Sequence, residues 1–197
     1  MPDIVTRLLA DLPIEAVRWS RPVLIGIMGL PGAGKTEIAN YLAERHPLVK
    51  LSTDSIRLKY GLASGPATHD VMYQVAGKLL PKNAGLILDG IHLGTRDRDR
   101  LRRVADEHEA YAAIIYATAS PEIIEERLQQ RLRQSQKTAD NKCVVITPEH
   151  FAVIASYLEE PSDDEELYVV DTSQGRIEGQ LSGLERQLRQ LSTGLHP

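Results

Sequence analysis

The sequence predicts an α/β protein, a parallel five-stranded sheet with helices on both faces. Three observations carry that prediction. Five short apolar runs, at Val23–Met28 and at 49–52, 86–89, 112–117 and 167–170, alternate with segments of helical periodicity. The first run passes through a glycine-rich turn directly into a helix. Asp54 and Asp89 stand where the second and third runs end, and in such sheets ligands gather beyond the carboxyl ends of the strands.

In chain order, residues 3–20 read as a helical arm with Ile4, Leu8, Leu9 and Leu12 as its apolar stripe, and Trp19, the only tryptophan, reads as a packing residue. Val23–Met28 has the unbroken apolar pattern of a strand buried on both faces. The helix after it places Ile38, Ala39 and Leu42 on one face. After the second strand, a helix through Ile56, Leu58 and Tyr60 is expected to start at Ser55, and Gly61 and Gly65-Pro66 interrupt the chain. Thr68 or Asp70 is expected to cap a helix reaching Leu80 and stopped by Pro81. The charged segment 95–108, with Leu101 and Val104 turned inward, reads as a helix with a solvated outer face.

Ser120-Pro121-Glu122 is a serine cap followed by proline, opening a helix with Ile124, Leu128 and Leu132 along one side. Residues 134–143 are polar and aperiodic and read as a mobile loop. Thr147-Pro148-Glu149 repeats the cap-and-proline start for a helix to about Leu158. Ile177, Leu181, Leu184, Leu188 and Leu191 recur at helical steps, for core packing or for a dimer seam. The expected division is an N-terminal arm at 1–21, a catalytic unit at 22–173 with a lid at about 121–146, and a C-terminal helix at 174–197.

Composition narrows the function. A length of 197 residues with 42% hydrophobic and 25% charged content fits one soluble α/β core. No run is long enough to span a membrane, and the acidic, proline-broken opening is expected to be neither signal nor transit peptide. A single cysteine, Cys143, excludes an internal disulfide and a cysteine-only metal site, so a reducing cytoplasm is expected. The net charge of −4 leans against a long polynucleotide held by its phosphates.

The chemistry is concentrated in G-x-x-x-x-G-K-T between strand and helix. The segment from Gly29 through Pro31, Gly32, Ala33 and Gly34 to Lys35, Thr36 and Glu37 is expected to cradle a nucleoside triphosphate. Its glycines let backbone N–H groups face a phosphate, and the helix opening at Lys35 adds unpaired amides and a positive dipole. Lys35 would reach the outer phosphates and the Thr36 hydroxyl would ligate Mg²⁺.

Around this loop, Asp54 can take a proton from a substrate hydroxyl or serve only as a helix cap. Arg57, one turn on, can clamp an anionic part of the same substrate. Asp89 is placed to hold Mg²⁺ or to bind the substrate. Arg127 and Arg131 share a helix face before the polar loop, either as lid cations over the phosphates or as partners of Glu122 and Glu126 in solvated pairs. Among the mixed charges at 96–103, Arg96 is nearest the strand end and is a substrate-binding candidate. His69 and His92 lie near the presumed cleft without metal-ligand spacing and read as structural.

Taken together, GLPGAGKT, STDSIR, LILDG, the E-R-L-Q-Q-R helix and the late L-E-E-P-S-D-D-E resemble the P-loop kinases around the 5′-hydroxyl polynucleotide kinases and the zeta-toxin-like small-molecule kinases. The resemblance runs from about Val23 to Asp171. It implies sheet order 2-3-1-4-5, ATP and Mg²⁺ held through Lys35 and Thr36, Asp54 as general base, Arg57 on the acceptor's phosphate and Arg131 as the lid arginine. The T-N pair usual after the third strand's carboxylate is Gly90-Ile91 here, a departure in the acceptor pocket.

The expected activity is ATP-dependent phosphorylation of a hydroxyl, with a nucleotide or nucleic-acid 5′ end as the leading acceptor and a sugar, antibiotic or nucleotide-sugar as the alternative. A GTPase lacks support because Asn141-Lys142-Cys143-Val144 has no aspartate for guanine, and a ring-forming ATPase needs a helical lid domain for which the chain has little room. No membrane partner is expected, and the protein is expected to be a monomer or homodimer.

Overall fold

A computed structural model describes residues 3–12, 19–62, 65–90, 93–137, 146–174 and 176–192. Val23–Met28 (β1), Leu48–Ser52 (β2), Gly85–Asp89 (β3), Tyr111–Thr118 (β4) and Tyr168–Asp171 (β5) form one sheet in the order β2-β3-β1-β4-β5, every pairing parallel. The expected order and the location of all five strands hold, with ends shifted by a residue.

The period of two divides the core between the two faces. On one face Val23, Ile25 and Ile27 of β1 join Ile87, Ile115 and Val170 beneath Lys35–Arg45 (α2) and Ile177–Leu191 (α8). On the other, Leu24, Met28, Leu51, Leu86, Leu88 and Ile114 pack under Ile4–Asp11 (α1), Thr53–Tyr60 (α3), Pro66–Leu79 (α4) and Thr95–Glu107 (α5). Pro121–Lys137 (α6) and Pro148–Ala155 (α7) lie between β4 and β5 in the chain.

The leucine stripe of α8 is turned onto this core: Leu181, Leu184 and Leu188 are fully buried, each contributing roughly 1.5–3 kcal/mol. Of the two uses open to that stripe, core packing is the one observed. Trp19 is also a packing residue, donating from Nε1 to Pro47 O at 3.1 Å while its ring lies against Gly85. The helical part of the N-terminal segment is shorter than expected, ending at Asp11, and residues 13–18 lie outside those described.

Several helix ends differ from the expectation, for identifiable reasons. α4 starts at Pro66, not at Thr68 or Asp70, because proline at the first helical position needs no side-chain cap for its missing N–H. It ends at Leu79, and Pro81 stands inside a 3₁₀ turn, Leu80–Lys82. α3 begins at Thr53 with Ser52 as its cap, so Asp54 lies inside the first turn and not ahead of it. α6 continues to Lys137, taking in the first residues of the expected polar loop, and α7 ends at Ala155. Residues 138–145, with Cys143, lie outside those described, as does His92.

The charged helix α5 carries the largest correction. Arg98 is 0% exposed, where a solvated face was expected. Its guanidinium donates to Leu93 O and Glu159 O, both at 3.0 Å, to Thr95 Oγ1 at 3.2 Å and to the Glu165 carboxylate at 2.6–3.2 Å. A fully paired fork is the condition under which a buried arginine is tolerated. No described helix is long and apolar enough to cross a membrane.

Candidate active site

The site is built at the carboxyl edge of β1, β2 and β3. Parallel register sets Ser52, Asp89 and Ile27 side by side across the three strands. Ser52 caps α3, so Asp54 is carried over the same edge within two residues of the strand. β1 leads into the loop 29–34, which ends at Gly34, the N-cap of α2, with φ +86° and no side-chain capping bond. That position demands glycine. A Cβ there would take up a strained left-handed backbone and lie 2.8 Å from Thr172 Cγ2.

Lys35 opens α2 and turns back over the loop, donating from Nζ to Gly29 O at 2.8 Å and to Leu30 O at 2.9 Å. Burial pushes its ammonium down to about 8; the Asp89 charge opposes that shift and the Arg131 charge adds to it. Thr36 Oγ1 donates to Asp89 Oδ2 at 2.9 Å. Asp89 is 5% exposed, and burial raises its carboxyl above the ordinary carboxylate range against the opposing pull of Thr36, Lys35 and Lys50. Asp54 is felt by both Lys35 and Asp89. The structure therefore brings Lys35, Thr36, Asp54, Asp89 and Arg131 to one place.

The two lid candidates separate. Arg127 forms none of the solvated pairs considered for it. It donates to Gly32 O at 3.0 Å, to Thr172 Oγ1 at 2.7 Å and to Thr172 O at 3.2 Å, and the Thr172 hydroxyl donates in turn to Ala33 O at 3.1 Å. These donors hold the carbonyls of two loop residues, and the Ala33 amide donates to Leu30 O at 3.1 Å, so the loop's backbone is fixed from both sides. Arg131, one turn further along α6, is half-buried, and its charge reaches Lys35.

Arg57 pairs with Asp54 inside α3. Arg96 is exposed on the first turn of α5 and is felt by Glu159; no described contact brings it to the phosphate loop. Glu37 is exposed on the first turn of α2, and Pro31 and Ala33 are buried in the loop.

Thr172 is the site residue that sequence reasoning missed. It follows β5, far along the chain from the loop, and belongs to no motif. The only sign of it was its place just beyond a strand end. The pair Thr36 and Asp89 offers two hard oxygen atoms beside a phosphate-binding loop, a donor set that suits Mg²⁺, which takes few protein oxygens and fills its shell with phosphate and water.

The AAA domain family matches residues 24–146 of the chain. No curated protein matches it. Among solved structures, Kti12 from Chaetomium thermophilum in complex with ADP-AlF3 superposes with a TM-score of 0.62 at 19% identity, over 87% of this chain and 100% of that one. The APS kinase CysC of Mycobacterium tuberculosis in complex with AMPPNP and APS gives 0.59 at 18% identity, over 86% and 98%. A gluconokinase from Sinorhizobium meliloti gives 0.57 at 19% identity, over 86% and 95%. The family match spans more than half of the sequence and falls on β1 to β4, the loop and α6, and the chain belongs to that family.

Proposed function

We propose that the protein transfers the γ-phosphoryl group of ATP to an alcohol of a small acceptor that also carries an anionic group. The observation that carries this reading is the convergence of Lys35, the Thr36–Asp89 pair and Asp54 at one strand edge. Phosphoryl transfer asks a protein mainly for positioning and for charge around the moving group. In this reading the loop amides and Lys35 hold the triphosphate, and Thr36 and Asp89 hold Mg²⁺. The metal would neutralise charge on the outer phosphates. Asp54 accepts the proton of the acceptor hydroxyl, and Arg57 holds the acceptor's anion. Arg131 reaches over the phosphates from a lid at about 121–146, while Arg127 keeps the loop in shape. The catalytic unit is 22–173, with the N-terminal and C-terminal segments bracing it.

The net charge of −4 supports a small acceptor over a long strand. So do two fold neighbours named as a gluconokinase and an APS kinase. A nucleic-acid 5′ end is the second reading, favoured by Arg57 one turn from Asp54, because a 5′-terminal nucleotide presents the same pair of hydroxyl and phosphate. Transfer from γ-labelled ATP tests both, with D-gluconate, a nucleoside 3′-phosphate, their uncharged counterparts and a 5′-hydroxyl oligonucleotide as acceptors. Label on the small anionic alcohols supports the first reading, and equal or better labelling of the oligonucleotide moves the assignment to the second. ATP binding with no labelled product from any acceptor would overturn the kinase reading.

A further inference from the structure

β5 is the last strand of the sheet and pairs on one side only, with β4. The Thr172 N–H donates back to Thr118 O at 2.9 Å, and successive residues of a strand alternate in the side to which their peptide groups point. The N–H and C=O of Asp171 therefore face the open edge, where peptide groups without a strand partner are a liability. The Gln180 side chain fills that place. Its Oε1 accepts from the Asp171 N–H at 2.8 Å and its Nε2 donates to Asp171 O at 3.0 Å, one acceptor and one donor as a sixth strand would supply. α8 presents the amide there because Ile177 and Leu181, on either side of it, are buried in the core and fix the rotation of the helix.

The turn after Asp171 carries this restraint to the phosphate loop. The Asp171 carboxylate accepts from the Ser173 N–H at 2.9 Å and from the Ser173 hydroxyl, and the Gln174 N–H donates to Asp171 O at 3.4 Å. Thr172, held within that turn, meets the loop through three groups. Its hydroxyl donates to Ala33 O and accepts from Arg127, and its C=O accepts a second Arg127 N–H. Its methyl lies 2.8 Å from where a Cβ on Gly34 would stand. Gly34 is the N-cap of α2, so the place of Thr172 sets how the loop and the first turn of α2 sit against β5.

We propose that Gln180 is a positioning residue for the triphosphate-binding loop, acting through the Asp171 peptide and Thr172 and not on ATP itself. The inference rests on the nucleotide-binding part of the reading above. It extends the binding machinery into the C-terminal helix, beyond the residues 24–146 that the family match covers. A helix that only covered the core would add stability and leave nucleotide affinity alone. A helix that clamps the end of β5 changes affinity as well, because a short edge strand with one neighbour has little else to hold its last residues.

The test is calorimetric titration of AMPPNP with Mg²⁺ into the full chain, with urea unfolding measured on the same samples. Gln180→Leu removes both bonds at nearly constant volume and weakens nucleotide binding about fivefold, the scale of one neutral hydrogen bond. Gln180→Glu keeps the acceptor, loses the donor and weakens binding at least about twofold; it carries the test if the leucine variant does not fold. Leu188→Val lowers stability from the buried side of the same helix and leaves nucleotide affinity at the wild-type value. In a Thr172→Val background Gln180→Leu weakens binding less than about twofold further, because most of the contact through which it acts is already gone. Unchanged affinity in the Gln180 variants, an equal loss of affinity in Leu188→Val, or a loss that multiplies fully with Thr172→Val overturns the inference and leaves the kinase reading standing. A wild-type protein that does not bind AMPPNP overturns the kinase reading and removes the inference with it.

Discussion

Thr36 Oγ1 donates to Asp89 Oδ2 across 2.9 Å, tying the first turn of α2 to the last residue of β3. The bond is possible because β1 and β3 are neighbours in the sheet: the helix that leaves β1 starts beside the carboxylate that ends β3. Two oxygen atoms that far apart also form the edge of a site for a small divalent cation. Asp89→Asn keeps the shape and removes the charge. Turnover is expected to fall on the order of a hundredfold, with a higher Mg²⁺ concentration for half-activation. Steady-state rates across a Mg²⁺ series check this; an unchanged Mg²⁺ requirement would exclude Asp89 from the metal site.

Arg127 and Arg131 stand one turn apart on α6 and are expected to fail in different ways. Arg127 holds Gly32 O and Thr172, so Arg127→Met should weaken ATP binding and lower stability by about 1–2 kcal/mol. Thr172→Val should reproduce part of both effects. Arg131→Met should leave ATP affinity within about threefold and reduce turnover on the order of a thousandfold, the scale of a cation acting on the transferring group. Paired measurements of nucleotide Kd, turnover and urea unfolding separate the two roles.

Glu165 lies between Arg98 and Arg102, and its hydrogen bond to Arg98 leads in lowering its carboxyl to about 2 from an ordinary 4.5. A carboxyl depressed on folding stabilises the protein fully above its unfolded value. That contribution is lost as pH falls from about 4.5 toward 2. Thermal unfolding between pH 6 and pH 3 should show this loss in the wild type and a shallower slope in Glu165→Gln. The substitution also leaves the buried Arg98 guanidinium without its counter-charge, at about 3–5 kcal/mol. A wild-type slope in Glu165→Gln would contradict the assignment.

A Cβ on Gly85 would lie 2.3 Å from Trp19 Nε1 and 2.8 Å from Leu48 Cδ2. Gly85→Ala must displace a fully buried indole that is held to Pro47 O, at about 1–3 kcal/mol of overpacking. Trp19, the only tryptophan, reports its own displacement as a fluorescence shift in the folded protein.

Local pattern made the strands, the phosphate loop, the strand-end carboxylates and the α8 stripe legible, because each is written within a few consecutive residues. What stayed hidden depends on partners distant in sequence. Arg98 looks solvated among alternating charges, and only the fold brings Glu165 and the Glu159 carbonyl to it. Thr172 is an ordinary residue after a short strand until the β4–β5 pairing sets it against Ala33 O. The start of α4 carries no side-chain cap for a sequence pattern to show, because Gly65 and Pro66 suffice there. Ser52, Asp54 and Ser55 are all cap-forming residue types within one turn, and only the fold selects Ser52 and so puts Asp54 inside the helix.

The most direct test of the account is phosphoryl transfer from γ-labelled ATP by the wild type and by Asp54→Asn, with the affinity for magnesium-bound ATP measured on the same samples. The account predicts wild-type transfer to a small anionic alcohol, loss of that transfer in the variant, and ATP affinities that agree within about twofold, since the carboxylate acts on the acceptor's proton. Full transfer by Asp54→Asn, or a wild-type protein with no affinity for magnesium-bound ATP, would contradict it.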